Sequence, residues 1–307
     1  MSSMKTNDRA IEVEGLRATY GKHVAVDGVD LTVHRGELVA LLGTNGAGKT
    51  TTMETIEGHR EAQGGTVRVL GHDPWKDRGE IRPRMGIMLQ SSGFAGELTV
   101  RETAKLWAKL RSRAGDPDDA LERLDLAHRL DVRVKQLSGG EQRRLDMATA
   151  LLGDPDVLFL DEPSTGLDPQ SRRRTWDVIA DLVTGGTAVL MTTHYMEEAE
   201  KLADRIAILD GGRIARTGTM AELVAGLNGT ISFALPDDLD PRTPPPDLPD
   251  LAGSVERARD GVVVITTDQL QRDLSVVLGW AADRDLTLER LHASESSLDD
   301  VFAGVQA

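Results

Sequence analysis

Eight residues constrain this chain more than any others: Gly43-Thr44-Asn45-Gly46-Ala47-Gly48-Lys49-Thr50, which follow directly on the apolar run Leu38 to Leu42. The run has the length of a buried strand, and the pattern G-x-x-x-x-G-K-[ST] after a strand is the P-loop, a turn that feeds a helix. Glycines let backbone amides curl around anionic oxygens, and the following helix offers its positive N-terminus to them. Lys49 supplies a point charge to β- and γ-phosphates, and the Thr50 hydroxyl can ligate Mg²⁺. The expected ligand is a nucleoside triphosphate, and the expected fold class is α/β.

The surrounding sequence agrees with that class. Between residues 10 and 230, strands alternate with helices, and Val157 to Leu160 and Ala188 to Met191 are further short apolar runs bounded by turn residues. Such runs are typical of a mostly parallel sheet buried on both faces. Residues 94 to 150 differ, with helix starts such as Thr99-Val-Arg-Glu102, a capping box, and we read them as a helical insertion. Six of the twelve prolines (236, 241, 244, 245, 246 and 249) then fall close together and mark a loop or linker. The flanking segments Thr230 to Leu235 and Val262 to Thr267, the latter after an Asp260-Gly261 turn, read as strands. Leu270, Leu274, Val277, Leu278 and Ala281 share a helix face, and Val276 and Trp280 beside it either meet a neighbour or finish the local core. Leu286 and Leu288 suggest another strand, and Ser297 with Asp300 a last short helix. The division is therefore 10–228 and a small α+β domain, 229–307.

Charge and composition narrow the function. Thirty-six basic against fifty acidic residues give a net charge of −14, which repels a nucleic-acid backbone, so no nucleic-acid partner is expected. Without any cysteine there is no disulfide framework and no thiolate metal site, which fits a reducing cytosol. No apolar segment reads as a secretory signal or a membrane span. The acidic run Glu197, Glu198 and Glu200 reads as a solvated helix face and is assigned no metal.

Two further motifs carry chemistry. Val157-Leu-Phe-Leu-Asp161-Glu162 ends an apolar strand in two carboxylates, the first placed for a Mg²⁺ shell and the second to orient or deprotonate an attacking water. Leu137-Ser138-Gly139-Gly140-Glu141 opens a helix with a capping box, and its glycines leave the helix amides open to an anion.

In this order and spacing, the P-loop, the LSGGE segment and Phe159-Leu-Asp161-Glu162-Pro resemble the ATP-binding cassette (ABC) ATPases over about residues 10 to 225. The resemblance implies an ABC core with a mostly parallel sheet, a helical insertion subdomain and a small C-terminal α+β domain of regulatory or dimerising role. It implies that Tyr20 stacks on adenine, that Gln90 joins Thr50 and Asp161 around Mg²⁺, and that Asp168, in Ser164-Thr-Gly-Leu-Asp168-Pro, belongs to the D-loop. It further implies that Glu162 is the general base and that His194 contacts the γ-phosphate. Two copies would close head to tail on ATP, the P-loop of one facing Ser138 to Gly140 of the other. Thr51-Thr-Met-Glu-Thr-Ile-Glu-Gly58, Arg143-Arg-Leu-Asp146, Thr193-His-Tyr-Met-Glu-Glu-Ala-Glu200 and Ser297-Leu-Asp-Asp-Val-Phe302 look like bacterial drug-efflux ATPases of the daunorubicin-resistance type. That subclass pairs the ATPase with a separately encoded permease at the cytoplasmic face of the membrane. Thr44, where the family often has proline, and Glu141, where it has glutamine, are the departures. The alternative is an ABC ATPase acting on ribosomes or DNA, whose members resemble fused cassettes or carry long coiled coils; this chain has one compact cassette.

Overall fold

A computed structural model describes residues 8–89, 93–111, 113, 115–235, 248–257 and 262–306. Five of the linker prolines, the Asp260-Gly261 turn and Gln90 lie outside them, whereas Pro249 lies within. Contacts divide the chain into two units, one ending at Met220 and one beginning at Ala221.

The first unit opens with β1 (Arg9–Tyr20), β2 (His23–His34), β3 (Leu38–Gly43), α1 (Lys49–Ile56), β4 (Gly64–Val69) and α2 (Arg78–Ile81). There follow β5 (Met85–Met88), α3 (Val100–Leu110), α4 (Pro117–Arg123) and α5 (Gly139–Leu151). It continues with β6 (Val157–Asp161), α6 (Pro169–Thr184), β7 (Ala188–Thr192), α7 (Met196–Leu202), β8 (Arg205–Asp210) and β9 (Arg213–Gly218). The six-stranded sheet has the order β5-β6-β7-β3-β8-β9, parallel except for its antiparallel edge strand β9. β3 and β7 are buried at every position and β6 at every position but its last, Asp161, which accounts for unbroken apolar runs where a half-exposed strand would alternate. A second, antiparallel sheet, β2-β1-β4, packs its apolar alternation into the same core.

The helical insertion comprises α3 to α5. Both capping boxes expected from sequence are present: the Thr99 hydroxyl accepts the Glu102 amide at 3.2 Å, and Ser138 accepts that of Glu141 at 3.2 Å. Beneath the insertion, Asp156 collects Arg84 Nε at 2.8 Å, Arg35 Nη1 at 3.1 Å and Arg113 Nη1 at 3.1 Å. These join the approaches to β3, β5, β6 and α4 through one carboxylate.

α8 (Met220–Val224) crosses the division, and the second unit holds β10 (Gly229–Ala234), β11 (Ser254–Arg257), β12 (Val262–Thr267), α9 (Leu270–Ala282), β13 (Glu289–Ser294) and α10 (Leu298–Gln306). Its antiparallel sheet runs β11-β12-β10-β13. Ile231, Phe233, Val263 and Ile265 point from that sheet into a core shared with α9. Three readings need correction. The buried face of α9 is Asp273, Val277, Trp280 and Ala281, with Leu270 and Leu274 packed on the core, so Trp280 takes the local of its two readings and only Leu278 of the expected stripe lies exposed. Leu286 and Leu288 pack on that core ahead of a strand that begins at Glu289. In α7, Glu198 is fully buried and accepts Trp176 Nε1–H at 2.9 Å, whereas Glu197 and Glu200 are exposed.

The Asp156 cluster yields a pH test. Hydrogen bonds from Arg84 and then Arg35 hold its carboxyl well below the usual carboxylate range against the cost of burial. A depressed native pKa stabilises above the unfolded value of about 3.9 and the gain is lost as pH falls through the native value. Asp156→Asn should cost about 1.5–3 kcal/mol at pH 7. Urea titrations at pH 7 and at pH 3 should show the gap from the parent narrowing at the lower pH.

Candidate functional site

The P-loop spans the C-terminal end of β3 and the start of α1, and sterics dictate its glycines. A Cβ on Gly43 would lie 2.5 Å from the Leu209 carbonyl oxygen, and one on Gly48, at φ +105°, 2.4 Å from that of Ala25. Gly48 caps α1 without any side-chain hydrogen bond, so the first-turn amides remain open to an anion. Lys49 is 8% exposed and donates to the carbonyls of Gly43 at 2.6 Å and Thr44 at 3.1 Å. Burial pushes its pKa down, and the carboxylates of Glu162 and Asp161 oppose that shift.

A cleft of about 290 Å³ is lined by Thr44, Asn45, Gly46, Gly48, Lys49, Thr50 and Thr51, with Tyr20, Asp161 and Glu162 on its walls. The end of β1, the start of β2, the P-loop and the end of β6 with its following turn thus converge on the cleft, and β7 reaches it through Thr192. Asp161 Oδ1 accepts the Thr192 hydroxyl. Glu162 sits at φ +51°, a left-handed conformation that costs a non-glycine residue about 1–3 kcal/mol. Its amide donates to Thr192 O at 3.1 Å and contacts Thr192 Oγ1 at 3.2 Å, and Arg143 Nη2 donates to its carbonyl at 2.7 Å. His194 Nδ1 lies 3.2 Å from Glu162 Oε1, so His194 meets the site through that carboxylate.

Other expected residues sit elsewhere. Ser138, Gly139, Gly140 and Asp168 do not line the cleft. Ser138 and Gly139 are exposed at the start of α5, and a Cβ on Gly140 would meet Leu167 at 3.5 Å and the Gly166 carbonyl at 3.7 Å. The LSGGE segment therefore abuts the Ser164 to Asp168 loop. Asp168 caps α6, accepting the amides of Gln170 and Ser171, each at 3.0 Å.

Two arginines hold contacts that the sequence does not reveal. Arg143, buried in α5, donates to Leu89 O at 2.8 Å and also binds the carbonyls of Asp161 and Glu162, so it ties the insertion to the carboxylate turn. Arg129 Nε donates to Glu141 Oε1 at 2.6 Å. Burial works against the Glu141 charge, but bonds from Ser138 and Arg129 hold its pKa below the usual range. Both partnerships span turns and elements that periodicity does not connect.

Comparison with known proteins places this geometry. A family model described as ABC transporter matches residues 26–165, and one described as ABC transporter domain-containing protein-like, C-terminal domain, matches residues 229–297. The chain is 39% identical over 302 residues to daunorubicin resistance ATP-binding protein DrrA3 of Streptomyces coeruleorubidus, covering 96% of this chain and 95% of that protein. It is 39% identical over 222 residues to Nod factor export ATP-binding protein I of Ralstonia nicotianae, covering 70% and 68%. An ATP-binding subunit of an ABC transporter superposes with a TM-score of 0.65 at 28% identity, covering 70% of this chain and 91% of that one. The dimeric structure of MJ0796, a bacterial ABC transporter cassette, shares the fold at a TM-score of 0.63 and 24% identity, covering 68% and 98%. With the P-loop, the Asp161-Glu162 strand end and the LSGGE helix all set in that fold, the chain belongs to the ABC transporter family as an ATP-binding, ATP-hydrolysing subunit.

Proposed function

We propose that this chain hydrolyses MgATP to drive export of drugs or other hydrophobic compounds through a separately encoded membrane permease, from the cytoplasmic face. The observation that carries the reading is the single cleft in which open helix amides, Lys49, Asp161 and Glu162 meet. ATP phosphates would enter the amide cradle and take over the Lys49 ammonium from the loop carbonyls, and Tyr20 would receive the adenine. The donor set suits Mg²⁺: the Thr50 hydroxyl and Asp161 carboxylate are hard oxygen ligands on the same cleft, and Gln90 would join them. The ion supplies neutralisation of phosphate charge. Glu162 would accept the proton of the attacking water, with His194 beside it. Glu162→Gln keeps the shape and removes the proton acceptor, so phosphate release should fall about 10²- to 10⁴-fold while ATP binding persists. Near-normal release from the purified variant would remove Glu162 from that role.

The exposed Ser138 cap lies away from the chain's own cleft, which supports a site completed by a second copy. In that sandwich Arg129 neutralises a carboxylate that stands beside an incoming γ-phosphate. At an effective dielectric near 20 and a separation of roughly 8 Å, an unpaired charge would repel a phosphate charge by about 2 kcal/mol. Arg129→Ala should therefore slow turnover by up to roughly thirtyfold, by the same Coulomb estimate. Adding Glu141→Gln should restore the rate. The test is steady-state hydrolysis by both variants.

Support for a membrane partner comes from the surface. Among the described residues no helix is long and apolar enough to cross a membrane. A groove of about 370 Å³ between the sheet edge and the insertion is lined by Met85, Ile87, Leu89, Trp107 and Leu110, the last 72% exposed. We assign it to a cytoplasmic segment of the permease, because it begins at Leu89, whose carbonyl Arg143 links to the carboxylate turn. Leu110→Asp should lower recovery of the permease in copurification. The 229–307 segment is assigned a regulatory or dimer-stabilising role, supported by its separate core and its lack of nucleotide motifs.

A further inference from the structure

We infer that Arg60 is a positioning residue for the nucleotide base, holding Tyr20 as a one-sided stacking platform; this rests on the reading that Tyr20 receives the adenine.

Tyr20 is the last residue of β1 and half exposed, which by itself leaves an aromatic ring free to reorient. Here it is fixed from several directions. The guanidinium carbon of Arg60 lies 3.7 Å from the ring centroid, close enough for a cation–π contact. Arg60 does not float over the ring, since its Nη2 donates to the carbonyl of Thr19, the neighbouring residue. The Tyr20 hydroxyl reaches Glu54 Oε2 at 3.4 Å, and Thr51 Oγ1 reaches that hydroxyl at 3.5 Å. Gln63 Oε1 accepts the Thr19 amide at 2.8 Å, and the Gln63 amide donates to Arg17 O at 2.9 Å.

The two sides of the ring face different surroundings. Tyr20 borders the nucleotide cleft and Arg60 does not, whereas Arg60 borders a separate hollow with Thr55, Glu61 and Trp75 that excludes Tyr20. The guanidinium therefore covers the face turned from the cleft and leaves the other for a base. A ring held this way loses little freedom when a base stacks on it, and the cation withdraws electron density from its π-cloud, favouring a second π-system on the open face. The arrangement also links two ends of one element. α1 begins with the P-loop lysine, and the segment just past its C-terminus, Arg60 to Gln63, clamps the strand that carries the base platform.

The test uses the full chain and equilibrium binding of two ligands with the same phosphate count, ADP and inorganic pyrophosphate. Arg60→Met keeps an apolar stem on the ring and removes the charge and its bond to Thr19. ADP affinity should fall about three- to tenfold, the range of a cation–π contact of modest strength, and pyrophosphate affinity should not change. Arg60→Lys, which still places a cation there, should stay within about twofold of the parent for both ligands. In the Tyr20→Ala background, Arg60→Met should have no further effect on ADP. Equal loss for ADP and pyrophosphate in Arg60→Met, or an ADP affinity unchanged by it while Tyr20→Ala weakens ADP, would overturn the inference and leave the nucleotide reading standing. If Arg60→Met fails to fold, a Lys variant that folds and loses ADP as Tyr20→Ala does would overturn it equally. Unchanged ADP affinity in Tyr20→Ala itself would overturn the stacking reading on which the inference rests.

Discussion

A charge carried into a nearly closed loop organises this molecule. Lys49 is desolvated at the mouth of α1, and its ammonium is held by two carbonyls of its own loop. Neutral carbonyls are weak compensation for a buried cation, and the carboxylates of Asp161 and Glu162 act on it across the cleft without closing a direct ion pair. The site is thus short of negative charge at one place, where the open amides of α1 also point. An anion that satisfies both makes contacts water cannot match, which is why a loop of small residues can select phosphate so strongly. The close approaches of Leu209 O and Ala25 O to Gly43 and Gly48 hold the cradle in shape before any ligand arrives.

The second organising feature is the left-handed backbone of Glu162. A residue held in this region is stable only when its surroundings over-determine it, and here the amide is held by Thr192 and the carbonyl by Arg143. Arg143 belongs to the helix that begins at Ser138, and the same guanidinium holds the Leu89 carbonyl. The apolar groove, the carboxylate turn and the LSGGE helix therefore share one rigid cation. α5 is thus joined through Arg143 to the main-chain carbonyl of the residue proposed to take the proton.

What was legible in the sequence was local. Strand β3 and its P-loop, the carboxylates ending β6 and the two capping boxes are all encoded within a few residues, where periodicity and turn chemistry operate. What was not legible depends on partners distant in the chain. In α9 the apolar stripe of Leu270, Leu274, Val277, Leu278 and Ala281 meets the core at every position but Leu278, and the fully buried face also takes in Asp273 and Trp280. Asp273 accepts the amides of Ala252 at 3.1 Å and Gly253 at 3.0 Å, so burial of that carboxylate, with the large indole beside it, outweighs exposure of a leucine. Glu198 is buried for a similar reason, because the Trp176 indole needs an acceptor. No spacing rule in the acidic run of α7 could announce a donor on α6. The antiparallel β2-β1-β4 sheet was missed as well, since long strands carrying several register shifts blur the alternation that would mark them.

The same locality explains why the LSGGE helix looks complete in one chain. Its cap is closed upon itself: Glu141 Oε2 accepts the Ser138 amide at 2.8 Å and the Ser138 hydroxyl at 3.0 Å. In the proposed sandwich a γ-phosphate arriving at Ser138 must take that hydroxyl from an ionised carboxylate, a stronger acceptor than the glutamine amide it replaces. Arg129, on Glu141 Oε1, would tip that exchange by drawing charge to the carboxylate oxygen remote from the serine. The capping interaction and the phosphate contact are therefore alternatives at one hydroxyl. On that proposal a carboxylate at this position would make closure depend on an arginine that the motif does not contain, placed in the turn that precedes the LSGGE segment.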